Sequence, residues 1–408
     1  MPESRRPIAA ATVAVLATVI SQGHAATIEW VRTVANSRFA NDIHVSRDGD
    51  VLLAGTTDVA PPGLNPLLHD AFVSRFSPAG EPLATTVFGG ELEDQIWAIT
   101  SDSVGNAVVF TMLTQEVAKD RSKTPNLVRI DHAGQIVSRS ELKTDRAIVS
   151  AGFDQFGSLA VVGYGESGYV TSRTASSGEI EWTEPLAIDV QIPSIGALDS
   201  KGSMYLTGTS DPRGNAYVAK VGSSGGIEWD FERGTTSCDY AGDAAVDLFG
   251  NVYAVGFDNE GSLDTGGTNG AFLSKLTPDG ELQWTRNFGS DGSWATSIEV
   301  DAWGNAVVIG IAGGFTSSRF EPFLAVFDTH GELRDSIGLG GGIRSARSVS
   351  LDNWGNAYVA LNAFQASGQS DGLVAKIRYV PESTGMSLLV LTMAAVLPCR
   401  PASAGPRS

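Results

Sequence analysis

The chain has 408 residues, of which 42% are hydrophobic and 8% aromatic, and this is enough apolar material for a folded core in one or two domains. The composition excludes a disordered chain, and the formal net charge of −18 disfavours nucleic acid and anionic lipid as partners. With only two cysteines, Cys238 and Cys399, no disulfide framework is available, so stability must come from packing.

Residues 1–25 have the three parts of an export signal. A basic start with Arg5 and Arg6 is followed by a 13-residue apolar run and by small residues ending at Ala25. This order is typical of a secretory signal peptide, and the run is shorter than the ~20 residues of a membrane-spanning helix. We therefore expect signal peptidase to cut after Ala25, so that an exported protein begins at Ala26.

One pattern recurs seven times between the two ends of the chain. Its marker is a turn of the form Asp-x-x-Gly-Asn followed by an apolar strand, as in DLFGNVYAVG from position 247 and DAWGNAVVIG from position 301. The turn glycines lie 45 to 56 residues apart and are Gly49, Gly105, Gly157, Gly202, Gly250, Gly304 and Gly355. This period is that of a four-stranded propeller blade.

A second marker follows each turn after a variable loop. It is a hairpin of two alternating strands around a glycine, as in AFLSKLTPDGELQW at 271–284. A tryptophan stands four residues after that glycine at Trp182, Trp229 and Trp284, and other residues fill the same place at Ala84, Ser138 and Asp335. Each repeat therefore contains an inner, a second, a third and an outer strand, and the tryptophans are expected to pack between blades.

The seventh repeat stops after its third strand, DGLVAKIRYV at 371–380. The missing outer strand is present at the other end, where ATIEWVRTV at 26–34 places Trp30 in the tryptophan position. A ring closed in this way has no exposed sheet edge. We predict an all-β fold, a seven-bladed β-propeller of four-stranded blades over residues 26–380, closed by the N-terminal strand pairing into the last blade.

These repeats resemble the bacterial surface β-propeller repeat family, known as SBBP. The resemblance rests on FGGELEDQIWAITSDSVGNAVV at 88–109, on DAFVSRFSPAGE at 70–81 and on their counterparts through position 380. It covers nearly the whole predicted mature chain. The resemblance implies export and a propeller fold, and it implies no particular activity.

Residues 381–408 form a separate tail. A VPESTG motif precedes a run of 12 apolar residues and a polar end that carries two arginines. This layout resembles the PEP-CTERM sorting signals that exosortase enzymes process, with Ser383 in place of the second proline of the motif. The resemblance implies transient retention in the inner membrane, cleavage near Pro381 and Glu382, and release of the propeller to the cell surface or the exterior. The alternative is a tail that stays as a weak anchor.

The repeated aspartates allow two interpretations. Oxygen ligands at alternating positions suit Ca²⁺, but the loop is too short to complete a calcium cage. A turn in which Asp accepts backbone hydrogen bonds and Gly adopts left-handed dihedrals explains the same pattern, so we predict turns and no metal site. The aromatic residues one position before the turn glycine are predicted to pack between blades rather than against a ligand, and they are Phe156, Phe249, Trp303 and Trp354.

Few residues suit catalysis. His132 and His330 lie beside hairpin glycines, where we predict solvated turns. His44 in the first inner strand and His69 in a proline-rich loop accompany no recognisable nucleophile motif. Cys238 is interpreted as an incidental loop cysteine, with a reactive thiol as the alternative. We therefore predict no catalytic residue and no cofactor.

Binding sites usually lie on loops that a rigid scaffold carries. The blade connections and the variable loops at 55–70, 111–126 and 257–270 are expected on one face of the ring, which we call the loop face. Charged residues eleven positions before the turn glycine are candidates for a partner-binding rim at the channel mouth, and they are Arg38, Asp94, Arg146, Asp239 and Arg344. The alternative is a rim of charges that only contact solvent.

These observations favour an exported, non-enzymatic binding or scaffold propeller that recognises an extracellular protein or polysaccharide through its loop face. The alternative is an exported propeller enzyme, either a polysaccharide lyase or hydrolase or a quinone-dependent oxidoreductase. Paired carboxylates about 5 to 9 Å apart in the channel mouth would favour a glycosidase, and their absence would favour binding.

Overall fold

The computed structural model describes residues 26–379 except for short internal segments, which are 58–68, 90–93, 118–119, 143–146, 155–156, 166–167, 175–179, 187–189, 211–213, 235–238, 260–268, 291, 314–320, 341 and 365–369. Several predictions fall outside the described residues. They concern the two terminal segments with Ala25, Pro381 and Glu382, and also Arg146, Phe156, Cys238 and the side chain of Trp182.

The described chain is built from strands. In chain order they are β1 (Thr27–Thr33), β2 (Ser37–Val45), β3 (Val51–Thr57), β4 (Ala71–Phe76), β5 (Pro82–Phe88), β6 (Gln95–Ser101), β7 (Ala107–Val117), β8 (Asp120–Ile130), β9 (Ile136–Glu141), β10 (Ala147–Phe153), β11 (Leu159–Gly165), β12 (Gly168–Thr174), β13 (Ile180–Pro185), β14 (Val190–Leu198), β15 (Met204–Ser210), β16 (Ala216–Val221), β17 (Ile227–Arg233), β18 (Tyr240–Val246), β19 (Val252–Asn259), β20 (Asn269–Leu276), β21 (Leu282–Phe288), β22 (Trp294–Val300), β23 (Ala306–Ala312), β24 (Glu321–Phe327), β25 (Leu333–Gly338), β26 (Ile343–Leu351), β27 (Asn356–Phe364) and β28 (Ser370–Arg378). Among the described residues, no helix has the length and hydrophobicity needed to cross a membrane.

The strands form seven antiparallel sheets of four. Blades 1 to 6 each use four consecutive strands, starting with β2, β6, β10, β14, β18 and β22 as the inner strands. Blade 7 has the order β1-β28-β27-β26, so its outer strand comes from the start of the described chain. The all-β, seven-bladed propeller predicted from the sequence is confirmed.

Strand β1 closes the ring by antiparallel pairing with β28, from Thr27 opposite Arg378 to Thr33 opposite Leu373. The backbone N–H of Val34 extends this pairing by donating to the carbonyl of Gly372 at 3.0 Å. Closure by the N-terminal strand therefore agrees with the sequence prediction, and it leaves β28 without an open edge.

The Asp-x-x-Gly-Asn elements are turns between inner and second strands. In blade 2, Asp102 Oδ1 accepts hydrogen bonds from the backbone N–H groups of Val104 and Asn106, at 3.1 and 2.9 Å. The Asn106 side chain donates to the other oxygen, Asp102 Oδ2, at 3.0 Å. Gly105 has a φ of +83°, in the region that favours glycine. The turn interpretation is therefore confirmed, and the aspartate oxygens are occupied by their own turn.

The core lies between neighbouring blades, where the face of one sheet packs against the next. One apolar cluster joins blades 1 and 2 through Leu52, Val73, Ile99 and Val109. Further out, the Trp229 indole of blade 4 donates to a carbonyl in the outer hairpin of blade 5 at 2.9 Å, and Trp30 and Trp284 make the same kind of contact with the blades that follow theirs. These three tryptophans pack between blades, as predicted from the sequence.

Candidate functional site

The predicted rim residues lie in different environments. Asp94 and Asp239 are fully buried at the start of inner strands, and their backbone N–H groups bond the carbonyls of His69 and Gly214. A buried carboxylate does not suit direct contact with a partner. Arg38 is half-buried, with its guanidinium 5.3 Å from the Phe39 ring.

Arg344 is the described rim residue with an exposed side chain, and it lies 5.9 Å from the ring of the exposed Phe364. The histidines also separate into two groups. His132 and His330 are solvent-exposed beside their turns, as predicted, whereas His69 is buried with Nδ1 3.2 Å from the Thr57 carbonyl. Two of these positions meet in blade 1, where Arg38 Nη1 lies 3.4 Å from His69 Nδ1.

Sequence reasoning missed a group of acidic residues in the central channel. The inner strands line the channel of a propeller, and Asp42, Asp243 and Glu299 lie on the inner strands β2, β18 and β22. Burial is the largest cause that raises the pKa of Glu299, and the nearby charges of Asp243 and Asp42 raise this pKa further. Because blade 1 is not a neighbour of blades 5 and 6, the interaction of Asp42 with Glu299 crosses the channel. We refer to these three residues as the channel carboxylates.

Two of the channel carboxylates join blades. Asp42 Oδ2 accepts the Ile99 backbone N–H of blade 2 at 2.9 Å, and its Oδ1 accepts the Ser348 hydroxyl of blade 7 at 2.7 Å. Asp243 repeats the first contact, since its Oδ2 accepts the Ile298 backbone N–H of blade 6 at 3.0 Å. Both residues stand seven positions before a turn glycine, and this shared position was a signal that the sequence contained.

Glu299 differs from these two residues. Burial is the main cause that raises its pKa to about 8, and the Val300 backbone N–H is the donor that lowers it. Burial likewise raises the pKa of Asp243 to about 7 and lowers the pKa of His44 to about 4. His44 is neutral under ordinary conditions and lies 3.0 Å from the Ser101 hydroxyl through Nε2. A glutamic acid that stays protonated at neutral pH can donate a proton.

The described aromatic residues that precede the turn glycines are exposed, so the prediction for them is wrong. They were predicted to pack between blades, but Phe249 is 83% exposed, Trp354 71% and Trp303 41%. The reason lies in the turn: each of their backbone N–H groups donates to the turn aspartate at 2.9 Å, which fixes the backbone while the side chain points away from the sheet. Leu248, also in the blade 5 turn, is 82% exposed.

These four side chains form an exposed apolar arc on the turns of blades 5, 6 and 7. The arc consists of Leu248, Phe249, Trp303 and Trp354, and the face that carries it is called the hairpin face. Among the described turns, those of blades 1 and 4 have Asp48 and Lys201 in the same place and that of blade 2 has Val104, which is 67% exposed, so the exposed aromatic rings lie on blades 5, 6 and 7. Among the described residues, no group of three or more His, Cys, Asp or Glu side chains is placed to hold a metal ion.

No family model and no curated protein matches the chain. Among solved structures, the hydrazine synthase of Kuenenia stuttgartiensis is 11% identical with a TM-score of 0.57, over 83% of this chain and 96% of that one. The polysaccharide lyase Uly1 is 11% identical with a TM-score of 0.55, over 85% and 91%. The β-propeller domain of the Trilobed protease from Pyrococcus furiosus is 10% identical with a TM-score of 0.49, over 86% and 98%.

Identities this low indicate a shared fold alone. The fold defines the class of protein, a seven-bladed β-propeller with acidic side chains in its channel and an apolar arc at one mouth. The resemblances to SBBP repeats and to a PEP-CTERM tail stay predictions from the sequence.

Proposed function

We propose that the protein is an exported binding propeller, without enzymatic activity, that takes an extracellular polysaccharide or protein on its hairpin face. The observation that carries this proposal is the exposed apolar arc on three consecutive blades. Clustered exposed apolar side chains on a water-soluble surface favour an interaction site. The net charge of −18 disfavours an anionic polymer as the ligand.

The proposed face differs from the one predicted from the sequence. The variable loops predicted at 55–70 and 257–270 fall largely on 58–68 and 260–268, outside the described residues, so their role stays a prediction. The loop predicted at 111–126 is wrong, because β7 runs to Val117 and β8 starts at Asp120, so this segment is a long strand hairpin. Support for the hairpin face comes from rigid turns, each fixed by an aspartate, that present aromatic rings at equivalent places. Aromatic rings can stack on the apolar faces of sugars and can also pack against apolar protein side chains.

The binding proposal is tested with the purified chain on glycan arrays and against bacterial surface extracts. A double variant with Trp303→Ala and Trp354→Ala is expected to lose at least about tenfold in affinity, which corresponds to about 1.4 kcal/mol. The matched control is Val87→Ala on outer strand β5, whose side chain is also exposed. A ligand that binds the double variant as tightly as the parent chain would contradict a role for the arc.

The export part of the proposal rests on residues 1–25 and on the tail at 381–408. Intact-mass measurement of protein from the native host is expected to show loss of the first 25 residues and of everything beyond about position 382. Full-length protein recovered from the cell exterior would contradict processing. Protein that keeps its tail in the inner membrane would indicate a weak anchor.

One observation favours a second candidate, an exported hydrolase or lyase that acts on polysaccharide. Glu299, with its pKa raised to about 8 by burial, is a group in the channel suited to proton donation. The hydrogen bonds that the Asp42 and Asp243 carboxylates accept favour structural roles for these two residues. If a polysaccharide is cleaved and Glu299→Gln abolishes cleavage without loss of binding, the enzyme replaces the binding module as the conclusion.

A further inference from the structure

A recurring contact joins the outer strands of neighbouring blades. The residue four positions after each hairpin glycine occupies what we call the Trp slot, and the hairpin glycine itself occupies the Gly slot. A Cβ atom on Gly280 would lie 2.6 Å from the ring of Trp229 in the preceding blade, and Gly331 has the same relation to Trp284 at 2.9 Å. The Trp slot of one blade therefore packs on the Gly slot of the next.

The junction between blades 6 and 7 departs from this rule. The Trp slot of blade 6 holds Asp335, and the Gly slot of blade 7, four residues before Trp30, holds Ala26. Blade 7 has no outer hairpin, because β28 and β1 come from opposite ends of the described chain. The aspartate therefore faces the start of a strand, where the tryptophans face a turn.

Asp335 is a buried carboxylate with one oxygen unused. Its Oδ1 accepts the Ser336 backbone N–H at 2.8 Å, and the Ala26 backbone N–H also donates to this carboxylate. Its Oδ2 is buried and has no hydrogen-bond partner among the described residues. Ala26 is buried in an apolar cluster with Ile337 and Leu339. A buried carboxylate in such surroundings is unfavourable unless a cation lies within reach.

We propose that cleavage after Ala25 places a new α-ammonium group of Ala26 against Asp335, and that this buried ion pair locks the N-terminal strand into blade 7. The inference rests on the proposed signal peptide and is independent of the proposed ligand. Hydrolysis consumes a water molecule, whose hydroxyl goes to the Ala25 carbonyl, and the released Ala26 nitrogen takes up protons to become an ammonium. An amide nitrogen has a single N–H to donate, whereas an ammonium has three, so the same atom can also serve Asp335 Oδ2.

The test uses the exported protein with its first residue identified by N-terminal sequencing. Two forms are compared, the natural sequence and a chain with a glycine inserted between Ala25 and Ala26, which displaces the ammonium by one residue. Asp335→Asn is expected to raise the unfolding equilibrium constant by about tenfold or more in the natural form and by much less in the inserted form. The inserted form is the matched control, because it keeps the carboxylate and every strand contact.

A second measurement uses the natural form alone, so it does not depend on the folding of a variant. NMR titration of the Ala26 signals in the natural form is expected to place the α-amino pKa above its ordinary range of about 7.7–8.0. An exported chain that starts at another residue, an ordinary α-amino pKa, or an equal effect of Asp335→Asn in both forms would each overturn the ion pair. Loss of ligand binding alone would bear on the proposed function and leave this inference intact.

Discussion

Blades 5 and 7 contain the same stack of a lysine, a tyrosine and a tryptophan side chain, which we call the ladder. The strands of the two blades are connected differently. In blade 5, the Lys275 ammonium lies 4.8 Å from the Tyr253 ring, and Trp284 packs on the same tyrosine at 6.1 Å. In blade 7, Trp30 lies 6.0 Å from Tyr358, although more than 300 residues separate the two. The strands of blade 5 form one continuous stretch of chain, whereas blade 7 combines β1 with the last three strands of the described chain.

One set of contacts therefore serves two purposes in these blades. In blade 5, strand β21 is attached to β20 through a short hairpin, so the ladder only adds to a pairing that the chain already favours. In blade 7, no hairpin links β1 to β28, and the ladder is reinforced by an ion pair between Lys376 and Glu29 at 2.9 Å. Closing the ring without a hairpin carries the entropy of a loop as long as the domain. The contacts of β1 must offset that cost.

The largest expected effect follows from removing strand β1. A chain that starts at position 36 leaves an unpaired edge on β28 and an open apolar cluster in blade 7, so we expect loss of cooperative melting and association into oligomers. Size-exclusion chromatography and thermal melting measure both effects. The matched control is removal of residues 381–408, which lie beyond the last strand. A chain without β1 that stays monomeric and melts like the intact protein would show that the ring does not depend on this strand.

The next largest effect is expected from removing the equivalent tryptophans of blades 7 and 5, Trp30 and Trp284. Trp30→Ala and Trp284→Ala each remove a half-buried indole and its hydrogen bond to the next blade, which should cost about 2–4 kcal/mol. Only Trp30→Ala should also accelerate hydrogen exchange in β28, because its strand can detach from the ring. In Trp284→Ala, strand β20 should keep its protection. Equal exchange in both variants would mean that chain continuity does not matter to the outer strand.

The sequence predicted the ring because its markers are local. A turn aspartate, a left-handed glycine and a following apolar strand form one short unit, and its period predicts both the number of blades and the incomplete seventh repeat. The site was harder to predict for two reasons. Asp42 and Glu299 are more than 250 positions apart, and only ring closure brings them to one channel. The outward direction of Trp354 depends on turn geometry, whereas hydrophobicity alone favoured burial.

A smaller effect is expected on the pH dependence of stability, and it arises from Glu299 in the channel. Burial raises the pKa of Glu299 to about 8, above about 4.3 for an unfolded chain, so the folded protein holds a proton that the unfolded chain releases. This contribution to stability is fully present below about pH 4 and is lost as the pH rises towards 8. The melting temperature of Glu299→Gln should therefore equal that of the parent at about pH 4. It should exceed that of the parent by a growing margin as the pH rises to about 8.

The matched control for this pH effect is Glu81→Gln, a substitution at an exposed outer hairpin. This variant keeps Glu299 and the channel, so it should not show the rise in melting temperature that is expected for Glu299→Gln. Two parallel melting curves for the parent and Glu299→Gln between pH 4 and 8 would mean that Glu299 ionises in the folded channel without cost.

The smallest expected effect is that of a chelator, which should leave the melting temperature unchanged. Blades 5 and 7 have Asn after the turn glycine, whereas blades 3 and 4 have Ser158 and Ser203 there, without a side-chain amide. Their backbone N–H groups nevertheless bond the turn aspartates at 2.9 Å, the same length within 0.1 Å as the bonds of Asn251 and Asn356. A turn that forms equally well with either residue does not need that side chain as a metal ligand. A drop of several degrees with EDTA that Ca²⁺ restores would show that the repeated turns bind calcium, and the four blades should then differ in affinity according to whether they carry Asn or Ser.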